Sequence, residues 1–254
     1  MSIASIEVKN NICTVTISRP PVNATDEMSY REIADTFHAL DKRDDIKVII
    51  LTGAGKVFMA GNDLDEFDRF AEPDSCISYY ETILNSYMAV KNSRYPVIGA
   101  INGSAAGAGI AFAGCCDVVV AARDAKFILS EIKVGIIGAD GFASLLIPEK
   151  VLRYMAFSGN ALSADEVSRY GGIWKVVEKD EVLVEANRLA AEFTENARGA
   201  LVRWKQTLNR NFNYSLEEKF NNDLIATISY QGSHDFKEAS LAWKEKRKPQ
   251  FDDR

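Results

Sequence analysis

The chain has 254 residues, 47% of them hydrophobic and 26% charged, an ordinary composition for a folded domain with one large core. Its formal charge of -6 argues against general nucleic-acid binding, and no apolar run reaches the roughly 18 residues that span a bilayer. The opening MSIASIEVKN lacks the basic and apolar regions of a secretory leader, which predicts a cytoplasmic protein with no membrane partner.

Residues 3–9 and 11–18 alternate apolar and polar side chains around Asn10-Asn11, the pattern of a hairpin. Arg19-Pro20-Pro21 ends the second strand. Asp26 is placed to cap a helix running to about Leu40, with Met28, Ile33, Phe37 and Leu40 as its apolar face. A short buried strand follows at 48–51, ended by Gly53. Residues 57–70 read as a loop leading into an acidic helix start, and 75–93 as an amphipathic helix. Further strands are predicted at 97–101, 118–121 and 126–129. From Gly141 onward the chain turns helical, at 143–147, 150–158, 164–170, 181–195, 198–209, 215–230 and 233–246, with one short strand at 174–177. Strands mixed with helices, then helices alone, predict an α/β core followed by a helical layer.

The richest stretch is 96–117, PVIGAINGSAAGAGIAFAGCCD. An apolar strand meets a small-residue turn that opens an alanine-rich helix. Free N–H groups at such a helix start can hold a developing negative oxygen, as in an enolate. The glycines do not follow the dinucleotide fingerprint, and GAGK at 53–56 lacks the spacing of a phosphate loop. Cys13, Cys76, Cys115 and Cys116 form no C-x-x-C pair and read as reduced structural thiols. His38 and His234 show no metal-site spacing, so no metal is expected.

Several ordered motifs resemble the crotonase (enoyl-CoA hydratase/isomerase) superfamily over nearly the whole chain. They are Arg19-Pro20 with Asn23-Ala24, VIILTG at 48–53 with FMAGNDL at 58–64, the 96–117 stretch, Ser130-Glu131-Ile132 with Gly135-Ile136-Ile137, the segment from Gly159 to Glu166, and Lys246-Arg247-Lys248-Pro249. The resemblance implies a crotonase-like spiral of ββα repeats with a C-terminal helical trimerisation layer. Residues 1–195 would form the core with its acyl-CoA site, and 196–254 the assembly region of a homotrimer or dimer of trimers. The substrate implied is an acyl-CoA thioester, with no cofactor beyond that coenzyme A.

By motif position, the backbone N–H groups of Asn62 and Ala108 would hold the thioester oxygen. Ala24, Ala60, Gly61, Asp63, Leu64, Gly107 and Phe142 would lie along the bound substrate. Family hydratases carry two glutamates. The first position is Ala111 here, and the second is Glu131, which follows the apolar FILS and is expected to be half-buried with a raised pKa. One base can move a proton from C2 to C4, so the resemblance favours Δ3–Δ2 enoyl-CoA isomerisation. Hydration, or other enolate chemistry such as decarboxylation, hydrolysis or dehalogenation, is the alternative, and a non-catalytic binding protein a further one. Asp140, in the turn Gly138–Phe142, reads either as a helix N-cap or as a second acid, although relatives with a working aspartate there align it with Ala139. Phe67, Phe70, Tyr80, Tyr87 and Phe142 are candidate acyl-pocket residues. Arg19, Lys56, Arg69 and Lys248 are candidate partners for the CoA phosphates.

Overall fold

The computed structural model describes residues 2–63, 65–66 and 73–253. The hairpin forms from β1 (Ala4–Lys9) and β2 (Ile12–Ile17), paired antiparallel. Asn10 and Asn11 at its tip take φ of 53° and 61°, the left-handed backbone that a tight two-residue turn requires and asparagine tolerates. The chain continues through α1 (Glu27–Leu40), β3 (Val48–Gly53), α2 (Pro73–Lys91), β4 (Val97–Ile101), β5 (Ala105–Ala106), α3 (Ala108–Cys115), β6 (Val118–Ala122) and β7 (Lys126–Ile128). After a 3-10 turn at Glu131–Val134 come α4 (Asp140–Ala143), α5 (Glu149–Ser158), β8 (Ala161–Ser163), α6 (Ala164–Arg169) and β9 (Lys175–Val177). The helices α7 (Val182–Thr194), α8 (Arg198–Asn211), α9 (Leu216–Gln231) and α10 (His234–Glu245) close the chain.

The main sheet runs β1-β2-β3-β4-β6-β9, parallel except for the β1–β2 hairpin. Every residue of β3 and β4 is buried, which explains why both read as continuous apolar runs rather than alternating ones. A second, three-stranded sheet, β5-β7-β8, was not legible in the sequence beyond β7. Its other strands are two and three residues long, too short to carry a period.

Asp26 caps α1, accepting from Ser29 N at 2.8 Å, as its position predicts. The buried face of that helix differs from the expected one: it holds Tyr30, Ile33, Phe37 and Leu40, while Met28 is 74% exposed. At about 100° per residue these four side chains fall within an arc of about 80°, and Met28 lies about 160° from its middle. The helix expected at 143–147 begins at Asp140 and ends at Ala143, because Ala139 takes φ of 63° and starts it early.

A buried ion pair ties α8 to the core. Lys205 Nζ, 4% exposed as a residue, meets Asp117 Oδ2 at 2.7 Å and the Tyr95 carbonyl at 3.0 Å. Asp117 Oδ2 also accepts from Val97 N, at the start of β4. The strand leading to the glycine-rich turn is thus pinned to the C-terminal helices.

Candidate active site

Two loops meet in parallel register. Met59 and Ala105 form a bridge, and Ala106 N donates to the Met59 carbonyl at 2.9 Å. Asn62 and Ala108 each lie three residues further on, so the register carries them to the same end of the pairing. Close backbone approach makes this contact. A Cβ on Gly109 would fall 2.3 Å from the Met59 carbonyl oxygen.

Thr25 bridges to Asn62 in parallel, with Thr25 N donating to the Gly61 carbonyl at 2.8 Å and Asp63 N to the Thr25 carbonyl at 2.9 Å. Those bonds bracket Asn62 and leave its own N–H unused by any described backbone carbonyl. Ala108 opens α3, so its N–H has no intrahelical partner, and no described backbone carbonyl takes it.

Glu131 begins the 3-10 turn after β7 and is half-buried, as the apolar segment before it predicts. Its Oε2 is buried and without a hydrogen-bond partner among the described residues. Burial pushes its pKa above the ordinary 4.5, and the nearby Asp140 charge pushes the same way. Its Oε1 lies where a Cβ on Gly107 would come within 2.9 Å.

Asp140 does not cap α4; Ala139 occupies the cap position and Asp140 is the first helical residue. The left-handed Ala139 turns the chain one residue early, and Asp140 then lines the cavity beside Glu131.

A cavity of about 640 Å³ joins these groups. Asn62, Ala108, Glu131, Asp140 and Phe142 all line it, with Ile77, Leu84 and Tyr87 from α2 forming an apolar wall. Phe142 packs on Tyr87 with ring centroids 4.8 Å apart. Tyr80 also lines it and ties α2 to the loop after the 3-10 turn through its hydroxyl, which donates to the Ile137 carbonyl at 2.8 Å. A second cavity of about 400 Å³ is lined by Leu152, Ala156 and Phe157 of α5 and shares Glu131, Ile136, Ile137, Gly138 and Asp140.

Other expected positions fall elsewhere. Ala24, Ala60, Gly61, Asp63 and Gly107 flank the two donor loops but line neither cavity. Ala24 accepts from Arg19 Nη1 at 2.9 Å, and Ala60 N donates to Val22. Asp63 pairs with Arg19 at 2.6 Å, and Arg19 also meets Asp26 at 3.1 Å, so that cation is engaged by carboxylates rather than left for phosphate. Leu64, Phe67, Arg69 and Phe70 lie outside the described residues. Ala111 is fully buried in α3 and lines neither cavity.

The sequence reading missed Tyr30. It is fully buried, and its hydroxyl donates to Asn62 Oδ1. Its spacing from Ile33 and Phe37 was the available signal. Among the described residues no cluster of three His, Cys, Asp or Glu is placed to hold a metal, and no helix is long and apolar enough to cross a membrane.

Known proteins resemble this one along its whole length. The family model described as enoyl-CoA hydratase/isomerase matches residues 7–254. A probable mitochondrial enoyl-CoA hydratase of Dictyostelium discoideum is 31% identical over 97% of this chain and 89% of its own. The 1,2-epoxyphenylacetyl-CoA isomerase of Escherichia coli is 31% identical over 96% of both. The crystal structure of human enoyl coenzyme A hydratase domain-containing protein 3 superposes with a TM-score of 0.92 at 26% identity, covering 98% of this chain and 99% of that one.

Proposed function

We propose a base-catalysed double-bond migration for this chain, which belongs to the enoyl-CoA hydratase/isomerase family and has its crotonase-like α/β fold. As a member of that family it is an acyl-CoA-processing enzyme. In the proposed reaction, Glu131 removes a C2 proton from a 3-enoyl-CoA. The electron pair moves onto the thioester oxygen, where the N–H groups of Asn62 and Ala108 hold it. The same carboxyl returns the proton to C4, giving the 2-enoyl-CoA. One such donor typically contributes about 3 kcal/mol to the transition state.

The observation that carries this reading is the pairing of one half-buried carboxylate, whose Oε2 meets no described partner, with a fully buried alanine at the first acid position. Ala111 offers no group to polarise a water. Burial keeps the Glu131 pKa raised, which suits a base exchanging a proton with carbon. The described lining of the larger cavity contains Glu81, Glu131 and Asp140 and no basic side chain, so an uncharged, apolar acyl group fits it best.

Asp140 favours a second reading. It shares both cavities with Glu131, and a second carboxylate there supports hydration or another enolate chemistry such as hydrolysis or decarboxylation. Family relatives include a protein named a hydratase and one named an isomerase.

The same proposal keeps residues 1–195 as the acyl-CoA core and 196–254 as a layer through which chains assemble into trimers or dimers of trimers. Exposed Trp204, Leu216, Phe220 and Trp243 on the last three helices support it. No cofactor beyond the substrate's coenzyme A enters the reaction. Four unpaired cysteines support a reducing, cytoplasmic setting.

The test is a paired assay on 3-hexenoyl-CoA and crotonyl-CoA, with Glu131→Gln as control. Conversion of the first alone, abolished in the variant, supports isomerisation. Hydration of crotonyl-CoA replaces it with the Asp140 reading. Binding of both thioesters without turnover replaces both with a non-catalytic role.

A further inference from the structure

The two proposed donors sit on separate chain segments, and one buried side chain touches both. Tyr30 reaches from α1 into the core, and its hydroxyl donates to Asn62 Oδ1. Its ring lies nearly parallel to that of Phe112, with centroids 6.2 Å apart and planes 21° apart. Phe112 stands about one turn into α3, the helix that Ala108 opens. Tyr30 therefore meets the first donor's residue through oxygen and the second donor's helix through carbon.

Its own position is well fixed. Tyr79 and Tyr87 of α2 close on the ring edge-to-face, at 6.0 and 6.1 Å. At the start of α1, Asp26 is held by Arg19, which also holds Asp63, the residue after Asn62. Thr25 supplies the backbone bonds on either side of Asn62 and a hydroxyl bond to the Gly61 carbonyl at 3.1 Å. The Tyr30 bond adds a tether to the side chain between them. Such placement matters because an oxyanion donor displaced by about an ångström loses much of its effect.

We propose that Tyr30 is a positioning residue that sets the mutual placement of the Asn62 and Ala108 N–H groups, its hydroxyl holding the Asn62 segment and its ring bracing α3. This rests on the oxyanion reading above. A role in packing alone predicts something different: losing the hydroxyl would lower stability and leave the polarisation of a bound thioester unchanged.

The experiment compares the full chain with Tyr30→Phe, Asn62→Ala and the double variant. Phenylalanine keeps the ring and removes only the O–H. Asn62→Ala breaks the same bond from its half-exposed end and keeps the peptide N–H, so it serves if the first variant folds poorly. Three quantities are read: kcat and KM on 3-hexenoyl-CoA, thermal midpoint, and the absorbance of a bound 4-dimethylaminocinnamoyl-CoA, which moves to longer wavelength as its carbonyl is polarised. Each single variant is expected to lower kcat about tenfold, the equivalent of one net hydrogen bond, with KM within about twofold. The wavelength shift should shrink in both, and the double variant should be no worse than Tyr30→Phe, because the Asn62 bond is already lost in that variant. Multiplying losses, or a Tyr30→Phe protein that melts earlier with full kcat and full shift, would overturn the positioning role alone. A wild-type protein that shifts no chromophore overturns the oxyanion reading and this inference with it.

Discussion

Gly107 and Glu131 are built around each other. A Cβ at position 107 would stand 2.9 Å from Glu131 Oε1, and Gly107 takes φ of 51° with ψ of -113°, a conformation side chains disfavour. The glycine before the second donor thus leaves the space that the proposed base occupies.

Gly107→Ala is therefore expected to act on chemistry as well as on folding. Backbone strain costs about 1–3 kcal/mol of stability. The added methyl also pushes the carboxylate aside, and kcat should fall by about 10²-fold, since a base displaced from its proton loses most of its effect. A variant that melts early yet keeps full kcat would show that Glu131 does not work at this spot.

Glu131→Gln separates function from stability. Its kcat is expected to fall by about 10²- to 10⁴-fold, the usual worth of a general base. Stability should move the other way. Burial raises the folded-state pKa above 4.5, so the charged form is the one the fold disfavours. The contribution of the protonated carboxyl is complete below 4.5 and is lost as pH rises through the folded value. The variant should therefore melt above the wild type at neutral pH, with the gap closing toward pH 4. Thermal melts across that range check the sign.

Asp140→Asn tests what the second carboxylate does. Its charge helps hold the Glu131 pKa up, so removing it should move the acid limb of kcat/KM to lower pH. Under the isomerase reading the plateau stays within about threefold of wild type, whereas an acid taking part in the reaction would cost about 10²-fold or more. A pH–rate profile of both proteins separates the two.

Much of this site was legible because its parts are local. The small-residue turn before α3, the apolar approach to Glu131 and the Asp26 cap each follow from a few adjacent residues. What escaped depends on long-range contact. Tyr30 and Asn62 meet across 32 positions, and nothing near Tyr30 in the sequence signals that its hydroxyl has a distant acceptor. Asp140 reads either as a cap or as a second acid, and propensity cannot choose between them, because the left-handed turn at Ala139 that takes the cap position is a tertiary outcome. Strands β5 and β8 exist only through their pairing with β7, and a two- or three-residue strand has no pattern to read.

Lys205 offers a prediction far from the cavity. Its ammonium is held by Asp117 and the Tyr95 carbonyl, with the lysine side chain 3% and the aspartate side chain 25% exposed. Lys205→Ala removes one partner from a mostly buried pair and leaves the carbonyl unanswered. The expected cost is about 3 kcal/mol, at the low end for such pairs because water reaches Asp117. For a chain of this length that lowers the thermal midpoint by about 6–12 °C. Because Asp117 also anchors the start of β4, the strand before the glycine-rich turn, hydrogen exchange should rise in Val97–Ile101 together with α8. Faster exchange confined to α8 would mean that the ion pair secures the helix alone and leaves β4 independent of it.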